Sequence, residues 1–295
     1  MSNRDRVSSE TAVDDRRATD ERGGVVSNRW RSLRAFTDAR IGLGRAGISL
    51  PSQRLLDFQL AHAQAIDAVQ LPLDVDGVCR ALADADLQSA IGRPPHVLHT
   101  QASDRTTFLQ RPDLGRVLDE DSRARLAPAD DTPVAEHDLA VVIVDGLSAR
   151  AIHDHAVNFV AALSRALVED GADPWTVAPL TVVQQGRVAI GDDIAPRLNA
   201  RAVLVLIGER PGLSSPDSLG LYLTWAPGPE TTDADRNCIS NVRPAGLTPD
   251  KAVERLLYLL REARHLELTG VGLKDRSDDA VIDQGTAEPS NFLIS

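Results

Sequence analysis

Residues 139–144, 176–183 and 202–207 are apolar runs of strand length, with helix-like segments in the intervals between them. A run that is apolar at every position has to be buried on both faces, and a sheet covered by helices on either side provides that. Strands alternating with helices pair in parallel through right-handed crossovers. Residues 138–275 are therefore expected to form an α/β domain with a mostly parallel, Rossmann-like sheet and flanking helices. Residues 219–225 add a further strand candidate, and 249–266 reads as a closing helix.

Upstream, the period is helical. Leu55, Leu56, Leu60, Ala63, Ile66 and Val69 recur at three- and four-residue spacing, with Ser52 placed to cap the segment. A second helix is expected over 78–90 and a shorter one after Pro112, so residues 30–127 form a smaller helical N-terminal region. The acidic, proline-bearing stretch 128–133 reads as a linker. Residues 1–29 mix arginines and acids without apolar periodicity and are expected to be a disordered tail. A flexible tail is likewise expected over 276–295.

Composition narrows the function classes. The 295-residue chain is 42% hydrophobic but only 3% aromatic, so its core must be built from Leu, Val, Ile and Ala. A formal net charge of −11 argues against nucleic acid, whose phosphates require clustered Lys and Arg. Cys79 and Cys238 lie far apart and offer no zinc spacing, which fits a reduced, cytoplasmic setting. No run approaches the roughly 18 apolar residues of a membrane span.

Several short motifs invite chemistry. Gly42-Leu-Gly-Arg-Ala-Gly47 matches the dinucleotide fingerprint, yet a charged segment precedes it and Pro51 follows, so its glycines read as turn formers. Asp145-Gly-Leu-Ser148 lacks the glycine of a nucleophile elbow, which leaves Ser148 as a helix cap and Asp145 as a polar contact to a ligand. His153 and His155 are two apart and point to different helix faces, so they do not share an ion. Asp74-Val-Asp-Gly77 is too short for a calcium loop and reads as a helix start. No catalytic constellation and no metal site emerges. The loops 186–189 and 208–212 follow strands of a parallel sheet and emerge on one edge, where such sheets bind ligands. Glu209 stands out there, because the turn does not need a carboxylate. From the residues alone, Cys238 reads as a buried structural cysteine.

Longer segments carry a resemblance. ARIGLGRAG, LLDFQLAHAQAIDAV, RPDLGR, VVIVDGLSARAIHDHA, QQGRVAIGDD, VLIGERPGLSSPDSLGLYLTWAP, DRNCISNVRPAGL, LLREAR and GVGLKD occur in that order from about residue 33 to 275. Together they resemble the small subunit of ethanolamine ammonia-lyase. The resemblance implies adenosylcobalamin as cofactor, and radical conversion of ethanolamine to acetaldehyde and ammonia. It also implies a hetero-oligomer in which a TIM-barrel large subunit holds the substrate and the catalytic groups. Carried over by position, the cobalamin contacts fall on Val188, Glu209 and Cys238. The family is often associated with a bacterial microcompartment. Lacking Asp-x-His-x-x-Gly, the chain is expected to leave dimethylbenzimidazole on cobalt. The alternative from another class is a non-catalytic nucleotide-binding α/β module, ahead of a stand-alone NAD-dependent oxidoreductase.

Overall fold

The computed structural model describes residues 19–20, 24–85, 87, 94–127, 135–170 and 174–277. The linker expected at 128–133 lies outside the described residues, as do most of the N-terminal tail and the C-terminal tail from residue 278. The chain divides into two compact units, Met1–Ala63 and Gln64–Ser295.

In the first unit, β1 (Thr19–Asp20), β2 (Val25–Val26) and β3 (Arg45–Ala46) form a small antiparallel sheet in that order. Strands β1 and β2 fall inside the stretch read as a tail. The glycine motif surrounds β3 instead of joining a strand to a helix. Gly44 adopts a φ of +78°, and a Cβ there would meet the Val26 carbonyl oxygen at 2.6 Å, so the glycine serves a tight turn. Helix α1 (Ser52–Gln70) begins at Ser52 itself, which makes that residue part of the first turn and not its cap.

The second unit is organised on a six-stranded sheet. Its strands are β4 (His96–His99), β5 (His137–Val144), β6 (Thr181–Gln184), β7 (Ala200–Gly208), β8 (Leu219–Trp225) and β9 (Arg236–Val242), in the order β4-β6-β5-β7-β8-β9. The first four pair in parallel, while β7 with β8 and β8 with β9 pair antiparallel. The sheet is therefore mixed, and the expectation of a mostly parallel sheet holds for only part of it. Residues 209–218 return the chain from β7 to β8 without a crossover helix, and a direct return can only produce an antiparallel pair. Edge strand β4 comes from the segment read as helical.

Helices α2 (Val75–Asp84), α3 (Arg105–Gln110), α4 (Glu120–Leu126), α5 (Ala149–Ala151), α6 (Val157–Glu169), α7 (Ile190–Ile194) and α8 (Pro249–Leu266) complete the unit. Asp74 accepts from Gly77 N at 2.9 Å and starts α2 three residues before the expected 78. Asp104 and Asp119 cap α3 and α4 in the same way. A carboxylate at this position satisfies a free amide and faces the positive end of the helix dipole. Ser148 accepts from Ala151 N and caps α5, as expected, and its hydroxyl donates to the Pro216 carbonyl at 2.7 Å.

Successive residues of the central strands point to opposite faces. Leu139, Val141 and Ile143 join Leu204 and Leu206 in one core with Phe159, Leu163, Leu256 and Leu260. Ala140, Val142 and Val144 join Val203 and Val205 in a second core with Ile190, Ile194 and Leu118. Each fully buried Leu, Ile or Val contributes roughly 1.5–3 kcal/mol, which is why these runs are apolar throughout. Among the described residues, no helix is long and apolar enough to cross a membrane.

Candidate cofactor-binding edge

The chain leaves β5 towards α6 on one face of the sheet and leaves β6 towards α7 on the other. Neighbouring parallel strands whose connections diverge in this way open a crevice at their carboxyl ends. Asp145, the residue after β5, fills the base of that crevice. Its carboxylate accepts from Gln185 N at 2.9 Å and Gly186 N at 3.1 Å, with Arg105 Nη1 at 3.9 Å. Burial pushes the Asp145 carboxyl up, while these amides and Arg105 pull against it. Its contact is thus structural, fixing the loop after β6 to the end of β5.

The loops after β5 and β7 meet even more closely. A Cβ on Gly208 would collide with the carbonyl oxygens of Asp145 and Ser148, and one on Gly146, whose φ is +55°, with that of Gly208. Only glycine at both positions permits this approach and the Leu147 N to Gly208 O hydrogen bond of 2.9 Å.

Above these loops lies a cavity of about 430 Å³, lined by Leu147, Arg187, Val188, Glu209, Arg210 and Tyr222 among others. Val188 and Glu209, expected from the sequence as cofactor contacts, thus share one space. Oε2 of Glu209 accepts from the Ser218 hydroxyl and from Asn241 N at 3.2 Å. Its Oε1 lies beside Gly220, where a Cβ would press on it at 3.0 Å and on the Tyr222 ring at 3.2 Å. The missing side chain makes room for both groups.

Cys238 lies on β9 directly opposite Tyr222 of β8. It is exposed, with Sγ 3.4 Å from Ser240 Oγ, which corrects its reading from the residues alone as a buried cysteine. Its neighbour Ile239 enters the core, so Cys238 faces the opposite side of the edge strand β9. Burial pushes the Tyr222 phenol up, and the adjacent Cys238 adds to that shift. Tyr222 consequently joins Cys238 to the cavity that Val188 and Glu209 line. A larger cavity of about 620 Å³ lies on the other side of the 187–189 loop, lined by Ala189, Arg116, Asp192 and Arg197. It contains none of the three expected contacts, and Asp192 is committed to a buried pair with Arg236 at 2.6 Å.

Elsewhere, His153 Nε2 accepts from Asp74 N at 2.9 Å, so it serves the start of α2. Asp154, His155 and Asp217 place ligand-type atoms within 4.8 Å of one another. Arg150 and Arg243 already balance the two acids, and the group reads as an ion-pair network.

The family model described as "Ethanolamine ammonia-lyase light chain (EutC)" matches residues 27–274. The chain belongs to the ethanolamine ammonia-lyase small-subunit family. A small subunit from Pseudomonas putida (strain GB-1) is 51% identical over 277 residues, covering 93% of this chain and 98% of that protein. One from Xanthomonas campestris pv. campestris (strain ATCC 33913) is 51% identical over 271 residues, covering 90% and 95%. A third, from Pseudomonas aeruginosa (strain LESB58), is 49% identical over 270 residues, covering 92% and 96%. The activity class is accordingly that of a carbon–nitrogen lyase acting on ethanolamine, of which this chain is a subunit.

Sequence reasoning did not single out Arg187, Arg105 or Tyr222 in this small subunit. Arg187 stood within the loop flagged at 186–189, next to Val188. Tyr222 was concealed in a strand pattern that any apolar residue would satisfy. Arg105 gave no signal, because it reaches the crevice from a helix far away in sequence.

Proposed function

We propose that this chain completes, together with a larger subunit, the adenosylcobalamin site of an ethanolamine ammonia-lyase. The observation that carries the reading is the shared cavity: Val188 and Glu209 project from loops flanking β5 into one space, with Cys238 attached through Tyr222. Drug-sized ligands already fill pockets of about 300–1,000 Å³, and a corrin with its nucleotide loop is larger. At about 430 Å³, this cavity seats only an edge of such a ligand, which supports a site finished by a second chain. The relatives' name, small subunit, also supports a larger partner.

The residues fit an amide-fringed macrocycle. Glu209 Oε1 offers an acceptor for carboxamide N–H groups, while Oε2 is held by Ser218 and Asn241, so the carboxylate arrives pre-oriented. Val188 and Leu147 supply apolar surface. When bound, adenosylcobalamin supplies the radical chemistry by which ethanolamine becomes acetaldehyde and ammonia. This chain's residues bind and orient its periphery. Asp145 and Glu209, the two acids at the edge, are occupied in holding loops together, which supports placing the substrate and the catalytic groups on the partner.

Exposed apolar side chains in the first unit support the same partner. Trp30, Leu33, Phe36, Ile48, Leu56 and Phe58 all face solvent, Phe36 at 85%. A surface subunit interface accounts for that many large apolar groups. The test is reconstitution. The purified chain should neither release ammonia nor retain cobalamin, and it should do both when mixed with the large subunit. Turnover by the chain alone, or by the complex without cobalamin, would overturn the reading.

A further inference from the structure

Four guanidinium groups crowd the carboxyl edge of the sheet. Arg187 and Arg210 line the cavity. Arg187 stacks its Cζ 4.0 Å from the centroid of the Phe108 ring and donates from Nη2 to the Phe108 carbonyl at 2.8 Å. Arg105 shares that ring at 4.7 Å and is held by the carbonyls of Val69 at 2.6 Å and Gly146 at 2.7 Å. Both arginines are left with a buried nitrogen that has no partner, Nε of Arg187 and Nη2 of Arg105. Burial lowers the pKa of Arg187, and the charges of Arg105, Arg116 and Arg210 lower it further, against a smaller opposing pull from Asp145.

Two acids face these four guanidinium groups and offset only part of their charge: Asp145, bound by two backbone amides, pairs with Arg105 at 3.9 Å, and Glu209 is tied to Ser218 and Asn241. Like charges held together by carbonyls and an aromatic ring, with donors left unmade, cost stability unless an anion completes them. Guanidinium forks match the geometry of phosphate oxygens in particular.

We infer that Arg187 and Arg210, backed by Arg105, form an anion subsite that takes the phosphodiester of the cofactor's nucleotide loop. The inference rests on the cobalamin reading above and adds to it a recognised group and the residues that bind it. Cobalamin carries one phosphate on an otherwise amide-rich rim, so a basic cluster beside an amide-accepting carboxylate fixes which part of that rim faces this chain.

The test compares three corrinoids in the reconstituted complex: cobalamin, cobinamide phosphate, and cobinamide, which lacks phosphate altogether. Equilibrium affinities, read by retained corrin absorbance, would be measured for the wild type, Arg210→Gln and Arg187→Gln. Arg210 is exposed, so its variant reports even where loss of Arg187 from Phe108 disturbs the fold. In the wild type, cobinamide phosphate should bind at least tenfold more tightly than cobinamide. Arg210→Gln should erase most of that gap, weaken cobalamin about tenfold, and leave cobinamide within twofold of the wild type. Equal weakening of all three corrinoids, or no weakening of cobalamin, would overturn the subsite and leave the cobalamin reading intact. A wild-type complex that binds none of the three would overturn both. Millimolar inorganic phosphate that raises the melting temperature of the isolated wild type but not of Arg210→Gln, with no preference among corrinoids, would reassign the site to free phosphate.

Discussion

On the proposed cobalamin reading, Glu209 has two tasks. One oxygen holds Ser218 and Asn241, and the other takes an amide of the cofactor. Glu209→Ala removes both. A charge-assisted hydrogen bond worth about 1.5–3 kcal/mol implies a loss in cobalamin affinity of roughly tenfold to hundredfold, accompanied by a lower melting temperature. Isothermal titration of the assembled complex and a thermal melt check the two effects independently. Cys238 leads to a different expectation. Its thiol lies at the periphery, facing Tyr222 and Ser240, so Cys238→Ala should lower affinity modestly and leave the axial-nitrogen coupling of the Co(II) state unchanged in electron paramagnetic resonance. A changed coupling would place the sulfur on the metal. Of the residues lining the cavity, Glu209 stood out in the sequence because a turn built from glycine and proline has no need of an acid. Arg187 did not, since its neighbours Phe108 and Arg105 reach it only through the fold.

At the level of elements, one ion pair ties three segments together. His155 lies in the π-helical turn Ile152–Ala156 between α5 and α6, Asp217 precedes β8, and Arg243 follows β9. His155 Nε2 lies 3.0 Å and Arg243 Nη1 2.9 Å from the Asp217 carboxylate. Burial opposes ionisation of Asp217, but the hydrogen bonds from His155 and Arg243 outweigh it and hold the carboxyl below its usual range. A depressed folded-state pKa contributes stability above the unfolded value, about 3.9, which is lost as pH falls through the folded one. Asp217→Asn should therefore cost about 1.5–3 kcal/mol at pH 7 and flatten the decline in melting temperature below about pH 4. A variant that melts with the wild-type pH profile would argue against this role. The elements themselves were unequally visible. The runs behind β7 and β8 and the amphipathic pattern of α8 could be read directly, because burial demands apolar residues there. Strand β9 escaped because an edge strand buries few apolar residues, here Ile239 and Val242 beside the paired Arg236. Strand β4 escaped because four residues are too few to declare a period.

For the whole molecule, the two units differ in how they meet water. The second encloses two apolar cores about its sheet, whereas the first exposes Trp30, Phe36 and Ile48. If these side chains dock on the large subunit, Trp30→Ser combined with Phe36→Ser should weaken assembly at least tenfold, given about 1.5–3 kcal/mol for each large apolar group buried. Analytical ultracentrifugation of the mixed subunits would measure it, and unchanged assembly would dissociate this surface from the partner. The exposed surface also bears on supply within the cell. Copies made faster than the partner would hold sticky side chains in water for as long as they remained orphaned, and aggregation or proteolysis would remove them. On that docking, synthesis of the two chains would be under pressure to stay in step, a constraint on gene dosage that originates in a few residues between Trp30 and Phe58.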